Sequence, residues 1–123
     1  MNDCSLDIFG RLHILTSDSA FESRTKIEKC IEQLLQKSNQ SFTLLYDYDV
    51  VLFRIGVVYL KFRTNTSIKK SRNTAPISVT TTYFVYSIGN GPIKTVKEGL
   101  FSSKLKIPVK SIVNKFIKKA KTQ

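Results

Sequence analysis

The second part of this chain is almost without acid. Residues 51–123 contain fifteen Lys and Arg and one carboxylate, Glu98, whereas residues 1–50 contain five basic groups and eight acids. The formal net charge of +11 is therefore split as −3 and +14. A chain that needs only solubility mixes its signs. Segregation on this scale gives the molecule a field with a direction. Folding brings the two parts together, but eight acids cannot neutralise the excess. The same shortage restricts catalysis, because paired acid–base work would have to come from the N-terminal part.

Other chemistry is scarce as well. One histidine, His13, and two cysteines, Cys4 and Cys30, offer no metal-binding set. His13 lies between Leu12 and Ile14 and reads as a hydrogen-bonded core or edge residue, not a base. Two cysteines are fewer than a secreted disulfide scaffold normally carries. Reduced thiols are expected, hence an intracellular location in nucleus or cytoplasm, with Cys30 packed as a small hydrophobe. No apolar run approaches the roughly 20 residues of a membrane span. The first ten residues carry Asp3 and Asp7 and no basic n-region, so they do not read as a signal peptide. Tryptophan is absent, and with it the boundary that membrane-surface helices favour. No serine sits in a nucleophile-elbow pattern. Asp47 and Asp49 read as solvated turn acids. The chain is expected to be non-enzymatic, with no catalytic residue, metal or cofactor.

What is present suits a folded protein. With 123 residues and 41% apolar content, positions 1–123 read as a single α+β domain with a real core. There is no internal repeat and no low-complexity tract. Residues 6–15 read as a strand or short packed segment. Ser19 and Glu22 have capping-box spacing, and Ile27, Cys30, Ile31, Leu34 and Leu35 recur at helical intervals, predicting a helix over 20–37. Phe42, Leu44, Tyr46 and Tyr48 alternate as in a strand. In the run that follows, the apolar parity flips at Gly56, from Val51, Phe53 and Ile55 to Val58, Leu60 and Phe62. Either a bulge or a tight turn accounts for the flip. Residues 77–88, dense in β-branched and aromatic side chains, predict a third strand closed by Gly89 and Gly91. Residues 93–107 leave strand, helix and loop open. Pro108 opens a second helix with the apolar stripe Val109, Ile112, Val113, Phe116, Ile117 and Ala120. The expected fold is a three- to five-stranded antiparallel sheet with two helices packed on one face, in the core order α-β-β-β-α.

Four features carry the functional argument. The connection "TNTSIKKSRNTAP", 64–76, holds Lys69, Lys70 and Arg72 and no acid, and the preceding strand adds Arg54, Lys61 and Arg63. Lysines keep sheet edges from pairing, yet that need is met by one or two of them. Neighbouring Thr, Ser and Asn supply the donors that phosphate oxygens accept alongside charge. "GNGPIK" reads as a Gly-rich β-turn rather than a nucleotide loop, with Lys94 beside it. The second helix carries Lys110, Lys115, Lys118, Lys119 and Lys121, of which the last three gain from the helix dipole. Tyr46, Tyr48, Tyr83, Phe84 and Tyr86 read as packing residues. Tyr59 alternates onto the face of Lys61 and Arg63, where a base can stack.

The order helix–strand–strand–strand–helix resembles that of double-stranded RNA-binding domains. It also resembles the two small subunits of the Alu domain of the signal recognition particle. In the former, a basic cluster opens the last helix directly after a Gly-rich turn; here a long stretch separates "GNGPIK" from Pro108. With the latter, "IEQLLQKSNQSFTLLYDYD" looks similar across the helix-to-strand junction. Neither resemblance transfers a residue role.

The sequence thus predicts a small basic subunit of an intracellular assembly that binds nucleic acid, RNA ahead of DNA, through the phosphate backbone. Its expected surface combines Arg54, Tyr59, Lys61, Arg63, Lys69, Lys70 and Arg72 with Lys94, Lys97, Lys104 and Lys106, all converging on one side. The acidic first helix and the N-terminal segment are candidates for docking further protein subunits. The rival is a protein–protein module, of the kind found in kinetochore or trafficking assemblies, whose basic face meets an acidic partner.

Overall fold

The computed structural model describes residues 4–70, 78–98 and 103–122, with backbone alone at 68–70 and 78–80. Its elements are β1 (Leu12–Leu15), α1 (Ala20–Lys37), β2 (Thr43–Asp47), β3 (Val50–Ile55), β4 (Val58–Lys70), β5 (Ser78–Ile88), β6 (Lys94–Val96), β7 (Lys104–Ile107) and α2 (Val109–Lys121). This is a mixed α+β fold with a five-stranded antiparallel sheet in the order β2-β3-β4-β5-β6 and a separate two-stranded ribbon of β1 and β7. β1 falls in the segment 6–15 that reads as a strand or short packed segment, whereas the core order α-β-β-β-α is corrected: its second strand divides at Gly56 into β3 and β4, and the short β6 and β7 precede α2. Those short strands escape periodicity because three or four residues show too little alternation.

Local chemistry accounts for the element ends. Ser19 caps α1: its Oγ accepts from the Glu22 amide and donates to the Glu22 carboxylate, both at 3.1 Å. At the other end Asn39 adopts φ 55°, while the Asn39 and Gln40 amides return to the carbonyls of Gln36 and Leu35, a left-handed stop that satisfies orphaned acceptors. The parity flip at Gly56 is a tight turn, not a bulge. Ile55 pairs with Val58 across a two-residue loop, and Gly56 takes the positive φ of 61° that such hairpins require.

The core lies between the helices and one alternation of the sheet. Val51, Phe53, Leu60, Phe62 and Phe84 are buried together with Ile27, Ile31, Leu35, Ile112 and Phe116. Phe53, Phe62 and Phe84 form a ladder across β3, β4 and β5, with ring centroids 6.4 and 5.5 Å apart. Leu105 and Ile107 of the ribbon join the same core. Thr64 and Thr82 close this face by donating to the carbonyls of Ala20 and Asp18, which seats the start of α1 on the sheet.

The N-terminal segment is fastened at three points. The Cys4 amide donates to Gln33 Oε1 at 2.7 Å, and Cys4 forms a disulfide with Cys30. The expectation of reduced thiols is therefore corrected: Cys30 does pack in the core, but the segment beside α1 brings Cys4 to it, with the Cα atoms 4.8 Å apart. Gly10, at φ 75°, accepts from the Lys110 amide, and a Cβ there would stand 2.6 Å from Lys110 Cβ. Only glycine permits that approach. No described helix is long and apolar enough to cross a membrane.

Candidate nucleic-acid interface

The alternation that buries Leu60 and Phe62 sends the intervening residues of β4 the other way. Tyr59, Lys61, Arg63, Asn65 and Ser67 share the second face with Val50, Leu52 and Arg54 of β3 and Tyr83, Val85 and Ser87 of β5. None of these eleven side chains is buried, in contrast to the helix-facing set. The rows across the sheet follow the register. Leu45, Leu52, Lys61 and Ser87 form one, and Arg63, Val85 and Thr95 form another.

Three cations dominate this face. Arg54, Lys61 and Arg63 are exposed, and none makes an ion pair among the described residues. Arg54 reaches Thr43 Oγ1 at 3.4 Å, a weak contact. The Lys61 ammonium lies 5.7 Å from the centre of the Tyr59 ring, within cation–π range. Two adjoining shallow depressions lie on the same side. One, of about 230 Å³, is lined by Val50, Lys61, Arg63, Val85, Ser87 and Ile93. The other, of about 350 Å³, is lined by Ser67, Thr81, Tyr83, Thr95, Lys97 and Glu98. Val85 and Thr95 are register partners, one in each wall, which places the depressions side by side.

The expected single basic surface is only partly assembled. Arg54, Tyr59, Lys61 and Arg63 come together, and Lys97 borders the second depression. Lys94 does not join them. It pairs with Tyr86, whose ring belongs to the core, so it faces the helix side and lines a different depression with Lys115 and Lys119. Lys104 and Lys106 alternate with the buried Leu105 and Ile107 on the ribbon, opposite Leu15 and His13, and point away from that core. Strand alternation decides the side for Lys94, whereas Lys104 and Lys106 belong to the separate ribbon.

The basic connection also changes character. Residues 64–70 are not a loop but the far half of β4, in register with β5 to the pairs Lys69–Val79 and Lys70–Ser78. Thr64 is buried and spends its hydroxyl on α1, and Ser67 and Thr81 share one hydrogen bond at 3.1 Å. The side chains of Lys69 and Lys70, and Arg72 altogether, lie outside the described residues. Tyr83, Asn65 and Ser87 join the open face without having been singled out as site residues. The β4–β5 register is the signal that finds them, once Arg63 is set against Val85.

Several acids of the N-terminal part are engaged away from this face, whereas Glu98 borders the second depression. Asp7 accepts from the amides of Phe9 and Arg11, each at 2.9 Å, from Arg11 Nε at 2.9 Å, and contacts His13 Nε2 at 2.8 Å. The His13 contact foremost, with the Arg11 and Phe9 donors, holds its carboxyl well below the usual range. Asp18 pairs with Lys26 at 2.7 Å. Glu28 accepts from the Tyr46 hydroxyl at 2.8 Å; burial first, then this carboxylate, pushes the phenol up to about 12. His13 is thus a hydrogen-bonded ribbon residue. Compared with known protein families, curated proteins and solved structures, the chain has no significant match in any of the three.

Proposed function

We propose that this chain is a small basic, non-enzymatic subunit of an intracellular assembly that binds nucleic acid, RNA ahead of DNA, chiefly through phosphates. The observation that carries the reading is the open sheet face, which Arg54, Lys61 and Arg63 share with no carboxylate bonded to them among the described residues. Unpaired cations on a surface that presents hydroxyls and amides between them suit phosphate oxygens, which accept from both. With four cations, counting Lys97, log K for duplex DNA is expected to fall against log salt with a slope of about −3 to −4, and less steeply for single strands. Filter binding of a labelled 20-nucleotide RNA between 50 and 250 mM salt reads this directly. Affinity indifferent to salt, or no binding at the lowest salt, removes the reading.

The protein–protein alternative has its own support. Ile8 and Phe9 are 93% and 71% exposed on a turn that Asp7 holds rigid. Paired large apolar side chains on a fixed turn suit insertion into a protein pocket. Their position next to the ribbon leaves the open sheet face free, so one subunit can use both surfaces. A complex with an acidic protein that survives nuclease and is lost in the Phe9→Ser variant supports this role. The nucleus or cytoplasm is the expected setting, and thiol labelling of the protein in fresh lysate reports whether Cys4 and Cys30 are paired there.

A further inference from the structure

We infer that the open sheet face is a platform for single-stranded nucleic acid, with Tyr59 and Tyr83 as stacking surfaces and Lys61 and Arg63 as the phosphate contacts between them. The inference rests on the nucleic-acid reading above and names which form of nucleic acid the face takes.

The face differs from a simple phosphate clamp in what lies among its charges. Along β4 it reads Tyr59, Lys61, Arg63, Asn65 and Ser67, and Tyr83 is the register partner of Asn65. The two tyrosines therefore stand six residues apart along the sheet, on the order of 20 Å. Both cations fall within that interval. Leu52 is in register with Lys61, and Val85 with Arg63, so an apolar floor lies beside each charge. A duplex offers a protein its phosphates and groove edges and keeps the faces of its bases stacked inside, so rings and an apolar floor gain nothing from it. A single strand presents base planes and phosphates alternately, and aromatic side chains bind those planes with little regard to sequence.

The charges favour this occupant over an acidic peptide. Lys61 already rests on the Tyr59 ring. A base stacking there displaces the ammonium towards the adjoining phosphate, so the two residues serve one nucleotide. The depressions on either side of the Val85–Thr95 pair are lined by Ser87 and Thr95, short polar groups able to bond a base edge, and by the Ser67–Thr81 pair, bonded to each other, with Glu98 at the border of the second. An acidic peptide would use Lys61 and Arg63 but neither ring.

The test compares a fluorescein-labelled 12-nucleotide oligouridine with a 12-base-pair RNA duplex by anisotropy at 100 mM salt. The single strand is expected to bind at least tenfold more tightly. Tyr59→Ala and Tyr83→Ala each weaken single-strand binding roughly tenfold with the salt slope unchanged. Tyr59→Phe retains it, and duplex binding does not respond to either ring. Lys61→Ala lowers the salt slope by about 0.7 on the single strand. Thermal unfolding of each variant verifies the fold, and Tyr59→Phe remains informative if an alanine variant fails to fold. Equal or tighter duplex binding, or alanine variants that bind the single strand as the parent does, overturns the platform and leaves salt-dependent nucleic-acid binding standing. A polyglutamate peptide that competes at equal charge concentration and is insensitive to the rings also overturns it. No binding to any of these polyanions removes the parent reading along with this one.

Discussion

Two faces of one strand meet different surroundings in this protein. On β4, Leu60, Phe62 and Thr64 are buried against the helices, while Tyr59, Lys61 and Arg63 look outward from the positions in between. The inner set is ordered by an aromatic ladder and by hydroxyls bonded to α1. In the outer set Lys61 lies over the Tyr59 ring, and none of the three side chains is buried. Under the proposed function, stability and recognition are interleaved at single-residue spacing, and substitutions on the two faces are expected to act on different properties.

The sharpest way to break this comparison is at Phe62. Phe62→Ala removes the middle ring of the ladder and is expected to destabilise the fold by about 3–5 kcal/mol, read from urea denaturation. The fraction still folded should bind RNA as before. Next in size is the Cys4–Cys30 bond, which closes a span of 26 residues. Reduction, or Cys4→Ser with Cys30→Ser, is expected to cost about 3 kcal/mol, seen as a lower denaturation midpoint in dithiothreitol. Thr64→Val keeps the shape and loses the bond to the Ala20 carbonyl, for about 1 kcal/mol. Smallest is the outer set: Lys61→Ala with Arg63→Ala should alter stability by no more than about 0.5 kcal/mol while weakening polyanion binding and flattening its salt dependence. A large stability change from that pair would mean that the two faces are not separable.

Acidity tests the N-terminal turn in the same spirit. The Asp7 carboxyl is depressed in the folded state, so its contribution is present above the unfolded value near 4 and is lost as pH falls below it. Asp7→Asn should be less stable than the parent at neutral pH, and the difference should shrink towards pH 2 in thermal melts.

Much of the inner face was legible in the sequence. Ser19 with Glu22, and the stripe from Ile27 to Leu35, place α1 at the observed residues. The flip around Gly56 located a change of direction and left its geometry open, since bulge and hairpin shift parity alike. The outer face was legible only in part. Tyr59, Lys61 and Arg63 share a face by alternation alone, but Tyr83 and Ser87 join them through pairing with β4, which periodicity does not encode. Residues 64–70 looked like a loop because Thr, Asn and Ser interrupt the apolar alternation. In the fold that stretch is strand, and its threonine at 64 faces inward to bond a helix rather than outward to meet a ligand. The grouping of Lys94, Lys104 and Lys106 with the sheet cations failed because Lys94 sits opposite Tyr86 and the other two belong to a different ribbon. The disulfide was hidden for a related reason: two cysteines 26 residues apart carry no signal of proximity until the segment before β1 is laid along α1.

The β1–β7 ribbon has a consequence for how the molecule is made. Leu12 is made before its partner, Ile107, with α1 and the strands β2 to β6 between them. The hairpins of β2 to β5 can close while the ribosome is still translating, because their partners are neighbours in the chain. The first strand has to wait, with Ile14 uncovered, until β7 has been made. Synthesis interrupted before Lys104 would therefore release a nascent chain in which β1 has no β7 to pair with, a target for chaperones and proteases.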